Sequence, residues 1–338
     1  MFPEVRQFRV LRKKPLNLLM VGVLALLVAA GCSGSNSDTS TSSGSSETTQ
    51  AAAVEESESD FAGLVDIGRG RKMYLECQGR GSPTVVLVSG FRGSHDDWTS
   101  VIDSGGESKP SGSAVFPEVS KFTRVCAYDR PGTSRLDGAL SPSTPVAQPT
   151  TAQDGAADLH ALLKAAKQTG PYVLVAHSWG ALIGRLYTST YPDEVSGLVL
   201  LDPGSEFLQT TLTPAQWAKF VRGAKQPDEP KDLEAADYQP SVRELSAAPQ
   251  VRSIPAVVLT SDKCFEFVPG AGGAKATCSA WRAAQDQLAT LLDAKHITDT
   301  NGGHFIQGEQ PQLVIDAIRQ VVDTVRNQRE SRHWGCRV

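Results

Sequence analysis

From Lys72 onward, short apolar runs alternate with longer stretches of helical period. Residues 72–77 and 84–89 read as two strands joined by the turn "GRGSP", and residues 124–128 as a third. Thr151-Ala-Gln-Asp154 has capping-box spacing and opens a helix whose Leu159, Leu162, Leu163 and Ala166 recur on one face. A strand over 172–176, a helix over 179–191 and a strand over 197–201 follow. Next come a strand over 256–260, a helix over 279–292 and a weaker strand over 295–298. The last helix begins near Pro311, with Leu313, Val314, Ala317, Ile318, Val321 and Val322 on its apolar face. Short strands separated by amphipathic helices predict a mostly parallel sheet covered on both faces.

The alternation breaks once, between Gly204 and about Ser253. "TPAQWAKF", "PDEPKDLEAADY" and "SVRELSAAP" make that stretch helical and polar. Ligands of such sheets bind beyond the carboxyl ends of the strands. An insertion of about 204–253, leaving a strand at that end, is expected to cover the site as a lid. No internal repeat is evident.

The first residues do not begin a folded domain. Arg6, Arg9, Arg12, Lys13 and Lys14 stand against one acid, Glu4, and an apolar run from Leu16 to Ala30 leads into "AAGCSGS". This is the pattern of a secretory signal over 1–31. This almost wholly apolar run of 15 residues falls short of the roughly 20 a membrane span needs. The segment resembles a bacterial lipoprotein signal, with Cys32 as the lipidated mature N-terminus, although Ala29 stands where such signals usually have Leu. The Ser/Thr-rich residues 32–60 are too poor in apolar surface to fold and read as a tether to a domain over 61–330, with a tail at 331–338. The expectation is an exported chain, lipid-anchored on the extracytoplasmic face of the cell membrane, with plain secretion as the alternative.

Composition narrows this further. Of 338 residues, 40% are hydrophobic, enough for one large or two modest domains. Removing the signal takes net charge from −4 to about −8, so no basic surface remains for nucleic acid. Five cysteines follow Cys32, in a compartment where disulfides persist. Cys264 and Cys278 are expected to close a short surface loop, Cys77 and Cys126 to join two strands, and Cys336 to be left over. No zinc-type Cys/His spacing occurs, so no metal is expected.

The candidate chemistry centres on Ala176-His177-Ser178-Trp179-Gly180, where a strand turns directly into a helix. Such a turn displays a serine hydroxyl, and small residues on either side let strand and helix pass closely. Here the first of them is alanine instead of glycine. The hydroxyl needs a base to accept its proton. His177 adjoins it, but strand alternation points His177 to the opposite face. His95, His160 and His296 lie in a loop, on a helix and within a strand with no surroundings that mark a base, and His333 is in the tail. His304, in "TNGGHFIQGEQPQLV", lies in a loop between the last strand and the last helix, at the sheet edge where Ser178 emerges.

"VVLVSGFRGS", "CAYDRPGTS", "LVAHSWGALIGRLYTSTYPDEVSGLVLLDP" and "GGHFIQGEQPQLVIDAI" resemble, in order, the sequence blocks of the α/β-hydrolase superfamily over about residues 70–325. The resemblance implies an α/β fold with about eight strands, and a serine–acid–histidine triad whose chain order this sequence permits. The acid is either Asp202, directly after one strand, or Asp262, after the next; Asp202 is preferred. Asp129 is expected to fix the turn "DRPGTS". An oxyanion would be held by the backbone N–H of Trp179 and, by resemblance, that of Phe91. The resemblance implies hydrolysis of a carboxylic ester or similar acyl bond on a small-molecule substrate, without cofactor. An amidase, peptidase, thioesterase or perhydrolase would share these residues. A surface lipoprotein that only binds a ligand is the reading from another class. A serine at the turn argues against relatives that carry aspartate there. Trp217, Phe220 and Trp281 would either line an apolar pocket or pack the core and lid.

Overall fold

A computed structural model of the chain describes residues 59–225, 230–268 and 270–335. The expected signal, Cys32, nearly all of the tether, and Cys336 lie outside the described residues. In chain order come β1 (Phe61–Gly68), β2 (Arg71–Gln78), β3 (Thr84–Val88), α1 (Asp96–Thr99), β4 (Ser100–Ile102), β5 (Ser108–Pro110), α2 (Val115–Val119) and β6 (Val125–Asp129). They are followed by α3 (Ala152–Ala165), β7 (Tyr172–His177), α4 (Gly180–Thr190) and β8 (Val195–Leu201). The segment after β8 holds α5 (Leu208–Thr211), α6 (Pro214–Lys225) and α7 (Tyr238–Ala247). The chain then completes β9 (Ala256–Leu259), α8 (Ala274–Leu291), β10 (Lys295–Ile297), α9 (Ile306–Glu309) and α10 (Pro311–Gly335).

Eight strands form one sheet in the order β1-β2-β6-β3-β7-β8-β9-β10. β1 pairs antiparallel with β2 and β2 with β6, and the remaining neighbours are parallel. This is the α/β-hydrolase sheet that the resemblance implies. β4 and β5 form a separate small ribbon. The central strands are buried along their whole length, so successive side chains feed two different cores. Val86, Val88, Leu174, Leu198 and Leu200 pack with Leu159, Leu162 and Ile183 of α3 and α4. Val85, Leu87, Val173, Val175 and Val199 pack on the other face with Phe116 of α2 and with Val314, Ile318 and Val321 of α10.

Besides the short α1, β4, β5, α2 and α9, which the sequence reading does not include, two elements differ from expectation. β1 precedes the first expected strand; its residues alternate between exposed and half-buried, because it is a sheet edge with only one covered side. α8 starts at Ala274, five residues before Ser279, and the Cys264–Cys278 disulfide anchors it just after its first turn. The helix expected from Thr151 has both halves of its capping box: Thr151 Oγ1 accepts the Asp154 N–H at 3.2 Å and Asp154 Oδ2 accepts the Thr151 N–H at 2.9 Å. A second disulfide joins Cys77 and Cys126 at paired positions of β2 and β6. Among the described residues no helix is long and apolar enough to cross a membrane.

What matters for chemistry is the middle of the sheet. β3 neighbours β6 on one side and β7 on the other, so the chain reverses its direction of winding there. The loops leaving adjacent strands at such a point diverge and open a crevice at their carboxyl ends.

Candidate active site

The register of β7 and β8 pairs His177 with Leu201, so Ser178 and Asp202 both follow the last paired position. Ser178 has φ 51° and Asp202 φ 39°, in the left-handed region. Backbone hydrogen bonds hold both turns: Ser178 N–H to Leu201 O at 3.0 Å, Asp202 N–H to Leu259 O at 2.7 Å, and Gly204 N–H to Ser178 O at 3.0 Å. The small residues around the serine have visible causes. A Cβ at Gly180 would lie 2.5 Å from Ser89 O and 2.6 Å from Val88 O, so any side chain there would drive the helix off β3. Ala176 is tolerated two residues before the serine because it faces Gly184 of α4, where a Cβ would sit 3.3 Å from its own.

His304 arrives on the loop between β10 and α9. Its Nε2 is 3.0 Å from Ser178 Oγ and its Nδ1 is 2.6 Å from Asp202 Oδ2. The hydrogen-bond network assigns the proton on Nδ1 to Asp202 and leaves Nε2 to accept from the serine hydroxyl. Asp202 is fully buried; its Oδ1 accepts the Ser261 N–H at 3.0 Å and Gln285 Nε2 at 2.9 Å. Burial pushes this carboxyl up, but the bond and charge of His304, with Gln285 and the Ser261 N–H, outweigh burial and hold it below its ordinary value. Asp262 does not touch the imidazole. Its Oδ2 accepts the Asn301 N–H at 2.9 Å and its N–H reaches Gly302 O at 3.2 Å, so it braces the loop that carries His304.

His177 departs from the alternation argument. It lies under the site: its Nε2–H donates to His304 O at 2.8 Å, and the two rings are 4.7 Å apart. The chain turns so sharply at Ser178 that the His304 loop folds back over the face where His177 projects. Burial, with the neighbouring His304, lowers the His177 pKa to about 3, so this imidazole is neutral and serves as a fixed donor. Asp129 also has a different task from the one expected. It accepts the His95 N–H at 2.8 Å and lies 2.9 Å from His95 Nδ1, which pins the loop after β3 instead of its own turn. His160 sits against Glu194 and Tyr191, and His296 against Thr260.

The loop after β3 passes directly over the serine: a Cβ at Gly90 would come 2.6 Å from His177 Nδ1 and 3.2 Å from Ser178 Cβ. Phe91 follows on this loop. Trp179 is the residue before α4, so its N–H has no partner within that helix. Aromatic rings run from one side of the site to the other. Phe265 stacks on His304 at 4.2 Å and Phe267 lies 4.6 Å from Trp281. Phe220 contacts both Phe267 at 5.7 Å and Tyr238 at 4.6 Å, and Tyr238 is 4.6 Å from Trp179. Trp217, Phe220 and Trp281 are all buried within this packing. Sequence reasoning missed His177, Gln285 and Phe265. Cys264, the neighbour of Phe265, was the one available signal. Among the described residues no group of His, Cys, Asp or Glu is arranged to hold a metal ion.

Residues 83–260 match the family model described as the alpha/beta hydrolase fold. An uncharacterised Bacillus subtilis protein is 26% identical over 253 residues, covering 72% of this chain and 85% of that one. Lipase LipV of Mycobacterium tuberculosis is 30% identical over 203 residues, covering 52% of this chain and 77% of the lipase. An uncharacterised Schizosaccharomyces pombe protein is 31% identical over 172 residues, which span 45% of this chain and 30% of the yeast protein. Among solved structures, a thermophilic esterase from Thermogutta terrifontis superposes with a TM-score of 0.54 at 18% identity, covering 79% of this chain and 99% of the esterase. This level of identity speaks to the fold alone.

Proposed function

Because the chain belongs to the alpha/beta hydrolase fold family, we propose that it is a serine hydrolase that cleaves carboxylic esters through an acyl-enzyme. The observation that supports this most is the unbroken relay from Ser178 Oγ to His304 at 3.0 Å and from His304 to Asp202 at 2.6 Å. Ser178 Oγ attacks the acyl carbon while His304 Nε2 takes its proton. The oxyanion that forms accepts the N–H groups of Trp179 and Phe91. One such donor is typically worth 10²–10³ in rate. The imidazolium then gives its proton to the departing alcohol oxygen as the C–O bond breaks. Water, deprotonated by the same nitrogen, releases the acid and restores the serine. Asp202 stays ionised throughout and holds the imidazole in the tautomer the first step needs.

The band from Phe265 to Trp179 is built of packed aromatic rings. It favours esters whose acyl group is neutral and apolar. The purified protein should hydrolyse p-nitrophenyl esters of graded acyl length and react with a fluorophosphonate probe, and Ser178→Ala should abolish both. Labelling without turnover would mean an ester outside the panel. An absence of both would sink the hydrolase reading in favour of ligand binding.

We also propose that the chain is exported and held at the outer face of the membrane through lipid on Cys32. The two disulfides fit an oxidising compartment. Metabolic labelling with a fatty-acid analogue should mark the protein and should miss Cys32→Ala. Equal labelling of the two would end this proposal.

A further inference from the structure

Beside the relay lies a buried ion pair that none of these roles uses. Arg130 follows β6, and Glu234 comes from the segment between β8 and β9, outside the sheet. Their side chains are only 5% and 1% exposed. Arg130 Nε donates to Glu234 Oε1 at 2.6 Å and Nη2 to Oε2 at 3.1 Å. Two of the three remaining guanidinium hydrogens go to the loop after β3: Nη1 donates to Ser89 O at 2.9 Å and Nη2 to Gly90 O at 2.6 Å. Glu234 grips the same loop from the other side. Its Oε2 accepts the Arg92 N–H at 2.6 Å, and its backbone O accepts Arg92 Nε at 3.0 Å.

These bonds fall on both peptide groups that flank Phe91, one of which contains its N–H, and on the Ser89 carbonyl before them. The Gly90 carbonyl and the Phe91 N–H belong to one trans peptide and point in opposite directions. Fixing Gly90 O on Arg130 therefore turns the Phe91 N–H to the side away from the guanidinium. The bond from Arg92 N–H to Glu234 fixes the next peptide plane, so Phe91 has little freedom to rotate. A carboxylate alone this close to a developing oxyanion would oppose it, and the Arg130 charge cancels that effect. The insertion is also seated here by backbone: Glu234 N–H donates to Gly132 O at 2.8 Å, and a Cβ at Gly132 would collide with Asp232 O at 2.3 Å.

We propose that Arg130 and Glu234 are positioning residues of the oxyanion hole, through which the insertion sets the direction of the Phe91 N–H. The proposal rests on the acyl-transfer reading above. Glu234→Gln keeps the shape but puts an amide NH₂ where donors from Arg130 and Arg92 converge. Its kcat on a p-nitrophenyl ester should fall about 100-fold, the scale of one lost oxyanion donor, with KM within about twofold. Affinity for a trifluoromethyl ketone, which mimics the tetrahedral adduct, should weaken by a similar factor. Arg130→Lys, which cannot span two carbonyls and a carboxylate, should act in the same direction.

Either single change leaves a buried group without its partner and lowers stability. The double variant Arg130→Met with Glu234→Gln removes both charges and relieves that penalty. With a purely structural pair, the double variant would regain near wild-type kcat along with its melting temperature, and the proposal would be wrong. With a positioning role, stability returns while kcat and ketone affinity stay low. Wild-type protein inert towards esters and fluorophosphonate would instead remove the underlying reading. Active wild type alongside an unimpaired Glu234→Gln would overturn this proposal alone.

Discussion

Ser178 and Asp202 stand side by side, each one residue past the paired strand ends His177 and Leu201, and each in left-handed backbone. That conformation costs a non-glycine residue roughly 1–2 kcal/mol. Here the cost is met by the parallel ladder, which bonds the Ser178 N–H to Leu201 O and the Asp202 N–H to Leu259 O. Two neighbouring strands thus fix both ends of the relay, and only the imidazole between them must come from a loop. Asparagine accepts left-handed backbone readily, so Asp202→Asn changes charge with little effect on the turn. We expect kcat to drop about 10⁴-fold in Asp202→Asn, because His304 loses the acceptor that fixes its tautomer. Asp262→Asn, which only loosens the Asn301 turn, should stay within about tenfold of wild type. Reversal of that order in steady-state kinetics would move the acid to Asp262.

His177 should behave as a structural donor and not as a second base. His177→Phe retains a ring but loses the bond to His304 O, which frees the loop on which the imidazole rides. A stability loss of about 1–2 kcal/mol and a roughly tenfold lower kcat are expected. His177 is neutral above about pH 4, given its pKa of about 3, so the apparent pKa of the kcat/KM profile should not move. A shifted profile in the variant would mean that His177 carries protons during turnover.

Much of this was legible from the chain. Unbroken apolar runs such as "TVVLV" and "YVLVA" mark strands buried on both faces, and the turn between 176 and 180 announces its serine by the small residues that close packing demands. His304 was legible by place, as a loop histidine at the right sheet edge. The choice between Asp202 and Asp262 was open because both follow strands at that edge; sequence does not say which loop turns inward. β1 escaped notice because most of its residues face solvent and Gly63 and Asp66 interrupt its pattern. Arg130 and Glu234 are 104 positions apart and carry no local signature, since their meeting depends on how the insertion folds back.

The Cys264–Cys278 disulfide ties the loop after β9 to α8, next to Phe265 and three residues before Trp281, the rings that face His304. A cross-link between positions 14 apart removes about 3 kcal/mol of unfolded-chain entropy. Replacing both cysteines by serine should lower stability by about that amount. It should also reduce kcat severalfold as Phe265 comes away from the imidazole. Phe265→Leu should reproduce the kinetic change with a smaller loss of stability. Full activity in the double serine variant, measured with its melting temperature, would show that the stack is independent of the disulfide.

Asp97 gives the fold a pH dependence opposite in sign to that of most carboxylates. Its Oδ2 is buried without a hydrogen-bond partner, pressed against the backbone of Gly93, where a Cβ would lie only 2.0 Å away. Burial raises its pKa to about 7; Arg130 pulls it down, Asp96 and Asp129 push it further up, and His95 pulls it down. In the unfolded chain the same carboxyl titrates near its ordinary value of about 3.9. Between about pH 4 and pH 7 the folded protein therefore keeps a proton that the unfolded chain has released. Stability from this residue must fall as pH rises through that window and level off above it. Asp202, whose pKa is lowered, works the other way and costs stability only as the medium becomes strongly acidic. Asp97→Asn cannot ionise, so its advantage over wild type should grow from pH 5 to pH 8, reaching roughly 2–4 kcal/mol. Urea titrations at the two pH values test this directly. Parallel behaviour of variant and wild type would mean that Asp97 is already charged in the fold and has its countercharge in Arg130.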